Sequence, residues 1–219
     1  MPKLALLAGL LAIVTLVACA APTPTPTPTA TPSPTRTPTP TGGPEIKRYS
    51  SPPPMTIDAN KQYVATLETS LGDIVVEMLP KEAPRTVNNF VFLARDGFYD
   101  GTRFHRVIKG FMLQGGDPLG NGTGGPGYRF NDEPVTRDYT PGIMAMANSG
   151  TNTNGSQFFI MHGSAALPKA YVIFGQVIKG QDVVDKIATV QVGPGNPGEL
   201  SRPAQDVLLK KVTIAETGP

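Results

Sequence analysis

Phe104-His105-Arg106-Val107-Ile108-Lys109-Gly110-Phe111-Met112-Leu113-Gln114-Gly115-Gly116-Asp117 is the stretch on which the reading of this chain turns. Two short apolar runs, Phe104–Ile108 and Phe111–Gln114, are separated by Lys109-Gly110 and closed by Gly115-Gly116. Short runs rich in aromatic and apolar residues and bounded by glycine read as strands. A single arginine stands among aromatic, Met and Gln side chains. Such a surface offers an apolar pocket, amide donors and acceptors, and one fixed positive charge.

Upstream, Tyr63, Ala65 and Leu67 alternate, Ser70-Leu71-Gly72-Asp73 supplies a turn, and Ile74, Val76 and Met78 alternate again, which predicts a β-hairpin. Pro84 suits the first turn of a helix. Val87, Phe90, Val91 and Ala94 then recur at the spacing of one helical face, and Asp96-Gly97 ends it. A second helix is predicted from Gln181 to Ala188. Further short strands are predicted at Ile143–Met146, Gln157–Ile160, Tyr171–Val177 and Val207–Ile214. The glycine- and proline-rich stretch from Val192 to Pro203 reads as a loop. Many short strands with two helices predict a mostly β domain, a closed antiparallel barrel with helical caps.

Two segments resemble the first in composition: Met146-Ala147-Asn148-Ser149-Gly150 and Asn152-Thr153-Asn154-Gly155-Ser156-Gln157-Phe158-Phe159-Ile160. Neither they nor the first hold an evident nucleophile with its base. The composition suits peptide recognition and conformational chemistry, not bond cleavage. His105 and His162 have no second ligand at metal spacing, so no metal or cofactor is expected and both read as structural. Gly120-Asn121-Gly122-Thr123-Gly124-Gly125 has dinucleotide-type glycine spacing, but Pro126 and Gly127 follow at once, no helix can open there, and it reads as a loop.

The ends of the chain differ from this domain. Met1 to Lys3 is a short positive start, and Leu4 to Val17 is almost wholly apolar but shorter than the ~20 residues of a membrane span. It reads as a secretory signal. Leu16-Val17-Ala18-Cys19 resembles the bacterial lipobox, and Cys19 is the single cysteine of the chain. That resemblance implies residues 1–18 as a lipoprotein signal peptide, a lipid on Cys19, and an extracytoplasmic protein held to a bacterial membrane. Half of the 24 prolines lie between Pro22 and Pro54. This Thr/Pro-rich stretch lacks the apolar side chains to offset the cost of ordering, so residues 19–60 read as a lipidated, disordered stalk and 61–217 as the folded domain. After position 60 there are 15 basic and 15 acidic residues with no basic run, which excludes a nucleic-acid surface. Nothing points beyond a monomer.

In order from about Tyr63 to Ile214, these segments closely resemble the cyclophilin family of peptidyl-prolyl isomerases. The resemblance implies an eight-stranded closed barrel with two helices and a site on its outer face that takes proline-containing polypeptides. Carried over motif by motif, Arg106, Phe111 and Gln114 are the catalytic group. His105, Met112, Ala147, Asn148, Gln157, Phe159, Leu167 and Tyr171 bind substrate, and Gly122 and Thr123 lie in the neighbouring loop. Taken singly, Phe111, Met112 and Phe159 read as barrel core, and Arg106 as a surface ion-pair partner. The chain departs from the family in having no tryptophan, with Ala166 in its place, in Tyr171 where many members carry histidine, and in Ser149 for a common alanine. The missing indole implies weak cyclosporin binding.

Overall fold

A computed structural model describes residues 46–218. The segment read as a signal peptide, Cys19 and most of the Thr/Pro stretch lie outside the described residues. Strand β1 (Gln62–Thr69) and strand β2 (Gly72–Met78) form the predicted hairpin. Tyr63, Ala65, Leu67, Ile74, Val76 and Met78 are all buried, as alternation across a pleat requires. Helix α1 (Pro84–Arg95) begins with the proline at its start. No side chain of its own caps it. The buried Glu133 carboxylate, 47 residues away from Thr86, instead accepts from Thr86 N (2.8 Å), Thr86 Oγ1 (2.6 Å) and Arg85 N (2.9 Å). A negative group at the positive end of the helix satisfies free N–H groups and opposes the dipole.

The chain continues through β3 (Thr102–Arg103), β4 (Arg106–Ile108), β5 (Met112–Gly115), β6 (Ile143–Met146), β7 (Phe158–Met161) and β8 (Ile173–Lys179) to helix α2 (Gln181–Ala188). It closes with β9 (Val192–Pro194), β10 (Leu200–Pro203) and β11 (Leu208–Thr217). Nine strands form one antiparallel sheet in the order β3-β11-β1-β2-β8-β6-β7-β5-β4, and β9 pairs with β10 apart from it.

Two expectations are corrected here. The sheet has nine strands and an open hydrogen-bond order, a half-barrel where the resemblance implied a closed barrel of eight. The cause is local. The predicted strand Phe104–Ile108 is interrupted at its start, where Phe104 N donates to Val207 O (3.0 Å) and His105 N to Gln114 O (3.0 Å). Successive N–H groups therefore turn to opposite ends of the sheet order. The stretch from Val192 to Pro203, read as a loop, carries the β9–β10 hairpin. Prolines 194 and 203 sit at strand ends, the positions that tolerate a missing N–H, and they hide the strand signal.

The stalk boundary also moves. Residues 46–60 lie along the domain as a strap. Tyr49 N donates to Pro126 O (2.8 Å), its hydroxyl to Asp96 (2.6 Å), and its ring packs edge-on against Phe92 at 5.2 Å. Farther along, Asn88 Oδ1 accepts from Thr56 N (2.8 Å) and Asn88 Nδ2 donates to Pro54 O (3.0 Å). Composition cannot show this, because two or three well-placed side chains hold the segment.

The sheet buries side chains on both faces. One face, with the helices, encloses the main core around Phe90, Tyr99, Phe158 and Phe174. The other carries a smaller cluster of Met112, Tyr139, Ile143, Ala145, Phe159, Met161 and Ile173.

Candidate functional site

The smaller cluster is built by register. Across β4, β5, β7 and β6, Arg106 stands opposite Gln114, Gln114 opposite Phe159, and Phe159 opposite Ala145. Two residues along, Met112 stands opposite Ile108 and Met161. A period of two puts Gln114 and Met112 on the same face, with Arg106 and Phe159 beside them. The pleat alone thus gathers a guanidinium, an amide, a thioether and an aromatic ring. Phe111, Ala147, Leu167 and Tyr171, all half-buried, pack around the cluster.

Arg106 is held on several sides. Its guanidinium carbon lies 5.9 Å from the centre of the Phe111 ring, and Nη1 lies 3.8 Å from the Met112 sulfur. Nε donates to Glu199 Oε1 (2.8 Å) and Nη2 to Oε2 (2.6 Å), a two-pronged pair with both side chains about three-quarters buried. The arginine hydrogen bonds hold the Glu199 carboxyl at a pKa of about 2, well below the usual carboxylate range. Arg106 is therefore an ion-pair partner, as its alternative reading has it, but in a mostly buried pair and not a surface one. Glu199 was not found from sequence. It lies 93 residues downstream in the stretch read as a loop, and no spacing or pattern links the two.

Gln114 and Gln157 form a chain of amides. Gln114 Nε2 donates to Gln157 Oε1 (3.0 Å), and Gln157 Nε2 to the carbonyls of Gly122 (3.0 Å) and Gly124 (2.9 Å). The glycine loop is shaped from beneath by Asp117, fully buried, whose carboxylate accepts from the N–H groups of Leu119, Asn121 and Gly122 at 2.8, 3.0 and 2.6 Å. A Cβ on Gly124 would meet Asp117 Oδ1 at 1.9 Å, so only glycine fits. The loop reading of this segment holds, and Asp117 is a second residue that sequence reasoning missed. Its signal was present: an acid followed by glycine-rich sequence is an Asx-type turn former.

The other sequence-derived residues fall around the same site. Phe159 and Tyr171 meet edge to face at 5.7 Å. Tyr171 N donates to the Tyr139 hydroxyl (3.1 Å), which in turn donates to Tyr171 O (2.9 Å). Asn148 Nδ2 donates to Ala170 O (2.8 Å), and Ala147 N to Gln157 O (3.0 Å). Ala166, in the place of the family's tryptophan, is exposed. His105 lies beside Arg106 in sequence, and both of its ring nitrogens are buried without a hydrogen-bond partner. Burial pushes its pKa below the ordinary histidine value and so favours the neutral ring. His162 is structural: Nδ1 accepts from Gly110 N (2.9 Å) and fixes the β4–β5 turn.

A groove of about 790 Å³ adjoins the cluster, lined by Gln114, Ala147, Asn148 and Gln157 on one side and by residues 122–129 on the other. Arg48 of the strap and Arg129 border it, and among the described residues no acidic side chain does. Among the described residues no group of three or more His, Cys, Asp or Glu is placed to hold a metal ion. The arrangement can hold an extended peptide beside an apolar pocket and present an arginine donor to it.

Comparison with known proteins agrees with this geometry. The family model described as cyclophilin type peptidyl-prolyl cis-trans isomerase/CLD matches residues 64–218. The chain is 48% identical over 174 residues to peptidyl-prolyl cis-trans isomerase B of Streptomyces anulatus, covering 70% of this chain and 97% of that protein. It is 45% identical over 171 residues to the probable peptidyl-prolyl cis-trans isomerase A of Mycobacterium leprae, covering 69% and 91%. The crystal structure of a cyclophilin type isomerase from Cryptosporidium parvum superposes with a TM-score of 0.63 at 35% identity, covering 73% of this chain and 99% of that one. A second crystal structure of that protein, in the presence of the dipeptide Ala-Pro, also superposes at 0.63.

Proposed function

The chain belongs to the cyclophilin-type peptidyl-prolyl cis-trans isomerase family, and on that premise we propose that it turns X-Pro bonds of exported polypeptides at the Arg106 cluster and so assists their folding outside the cytoplasm. An X-Pro bond resists rotation by roughly 18–20 kcal/mol because nitrogen shares its lone pair with the carbonyl. A catalyst needs to favour the twisted state over both planar ones. In the twisted state the prolyl nitrogen regains its lone pair and becomes a hydrogen-bond acceptor. The proline ring enters the surface of Phe111, Met112, Phe159 and Leu167, which fixes it and excludes water from the amide. Arg106 then donates to the prolyl nitrogen, an interaction made only as resonance breaks. Gln114 and the Asn148 backbone hold the peptide on either side, so that one half turns against the other. Ala147, Gln157, Tyr171 and His105 complete the wall.

The observation that carries this reading is the position of Arg106 Nη1. It lies against Met112 at the edge of the apolar cluster, while Glu199 occupies the other arm of the guanidinium. The test is NMR exchange on an Ala-Pro tetrapeptide with the full-length chain in detergent. The parent should accelerate interconversion, and Arg106→Ala should lower kcat/KM by about 100-fold to 1,000-fold, the cost of removing one transition-state donor. A folded parent without activity would overturn the reading and leave a proline-binding module.

The extracytoplasmic setting rests on the sequence of residues 1–41. Cys19 carries the lipid, and the Thr-Pro repeats are the stretch of chain between it and the domain. Multiple acyl chains anchor where one is marginal, at about 0.8 kcal/mol per buried CH₂. Cys19→Ser should move the protein from the membrane to the soluble fraction of expressing bacteria. Retention of the variant in the membrane would overturn the anchor.

A further inference from the structure

Arg106 has an unusual set of partners. Among the described residues its hydrogen bonds go to Glu199, through Nε and Nη2, and to the Met112 sulfur, through Nη1. Gln114 is its cross-strand neighbour, yet gives its amide N–H to Gln157. The residue that sets the arginine's orientation therefore comes from outside the sheet, from the β9–β10 hairpin.

That hairpin is built to hold the carboxylate still. Glu199 directly precedes β10, and Gly198 before it has a φ of +79°, which turns the chain. Glu199 N donates to Asn196 O (2.9 Å), and Gly195 N donates to Glu199 O (2.9 Å), so both backbone groups of Glu199 are tied inside one short turn. Ser201, two residues on, is buried, and a Cβ on Gly195 would come within 2.2 Å of its hydroxyl. Ala204 N donates to Gln191 O (2.8 Å) and closes the base of the hairpin. β10 packs against β4, the strand that carries Arg106. A hydrogen-bonded turn thus delivers a carboxylate to the strand that carries the arginine.

A guanidinium has five N–H donors in a fixed plane. Glu199 takes one on Nε and one on Nη2 in the parallel geometry that fixes both the position and the plane of the group. Nη1 is then the arm beside the Met112 sulfur, with the guanidinium carbon 5.9 Å from the centre of the Phe111 ring, where the proline ring is proposed to lie. Without that clamp the side chain has several rotamers, and only some would present a donor to the prolyl nitrogen. Glu199 touches no substrate atom in this arrangement; it acts through Arg106. The carboxyl stays ionised far below neutral pH, so the clamp is present throughout the working range.

We propose that Glu199 is the positioning residue for Arg106, a carboxylate carried on the β9–β10 hairpin that orients the guanidinium so that Nη1, which meets only the weak acceptor sulfur of Met112, faces the prolyl nitrogen. The proposal rests on the isomerase reading of Arg106 given above. It also gives the hairpin a task that neither its sequence nor its place beside the main sheet reveals.

The test uses the full-length chain in detergent, with Glu199→Ala and the near-isosteric Glu199→Gln made in the parent and in Arg106→Ala. Exchange NMR on the Ala-Pro tetrapeptide gives kcat and KM, and the ¹H–¹⁵N signal of Arg106 Nε reports the clamp without reference to activity. Glu199→Ala should lower kcat by about 10-fold to 100-fold, the scale of a misplaced catalytic group, with KM little changed. Glu199→Gln, which keeps one acceptor, should fall between. Neither change should cost anything further in Arg106→Ala, and the Nε proton should exchange faster with water in Glu199→Ala. An unchanged or raised kcat in a folded variant would overturn the proposal, as would an equal loss in the Arg106→Ala background. Should Glu199→Ala fail to fold, Glu199→Gln decides by the same criteria. A parent that is inactive while its Nε proton is protected would overturn the isomerase reading itself, and this proposal with it.

Discussion

Phe158 and Phe159 are consecutive residues of one strand, of one type and nearly equal burial, yet they belong to different regions of the molecule. Phe158 points inward. Its ring meets those of Phe90 and Tyr99 at 5.8 Å and Phe104 at 6.3 Å, all near-perpendicular. Phe159 points outward, against Tyr171, with Gln114 and Ala145 as its cross-strand neighbours. Inside, the ring packs among other buried aromatic rings, so it contributes packing. Outside, the cluster is bordered by Arg106, Gln114 and a groove, so the ring contributes a surface. Burial therefore does not separate core from site in this protein. What separates them is which side of the pleat a side chain takes, and what stands at the border of that side.

The comparison fails most visibly if the inner side proves dispensable. Phe158→Ala should destabilise the protein by about 3–5 kcal/mol in urea unfolding, the range for deleting a buried aromatic ring. The kcat/KM of its folded fraction should stay near the parent's. A loss below about 1 kcal/mol would mean that the interior is not close-packed around this ring.

A gentler change on the outer side should divide the effect differently. Phe159→Leu keeps most of the volume, so its stability cost should stay below about 1.5 kcal/mol. Its kcat/KM for an Ala-Pro peptide should fall by about 10-fold, the scale of a reshaped apolar pocket. If stability falls and activity does not, Phe159 is core, as it reads when taken alone.

The smallest effect is electrostatic and confined to the outer side. The Glu199 carboxyl titrates at about 2 when folded, below its ordinary 4.5, because Arg106 holds its charged form. A depressed carboxyl pKa stabilises the fold above the unfolded pKa, and that contribution is lost as pH falls through the folded one. The parent should therefore exceed Glu199→Gln in stability by a constant amount above about pH 4.5, and the gap should close between there and about pH 2. Phe158→Ala should show no such window relative to the parent. Urea unfolding across that range measures both, and a gap that is constant with pH would show that the pair adds nothing to stability.

Much of this was legible in the chain. The β1–β2 hairpin and helix α1 came from alternation and helical spacing, because each depends on neighbours within a few residues. The segments bearing Arg106, Phe111, Gln114, Asn148, Gln157 and Phe159 were legible as a group through their resemblance to a family and not through their chemistry. Read singly, Phe159 was core and Arg106 a surface ion pair. β9 and β10 were obscured because glycine and proline mark turns, and here they stand at the ends of strands. The strap was obscured because its composition is that of a disordered stalk, although Tyr49 and Thr56 find partners on the domain.

The sequence by itself determined the mostly β architecture, the two helices, the family and the set of side chains available to the site. The architecture and the helices are written in short-range periodicity and turn chemistry, which act before the chain has a shape; the family and its site residues came through resemblance. Only the tertiary structure decided that Phe158 packs and Phe159 serves the site, that Glu133 caps a helix 47 residues away, and that Glu199 clamps Arg106 across 93 residues. Such pairings depend on where two distant backbones come to rest. Their partners carry no mark of each other until the sheet has brought them within hydrogen-bonding distance.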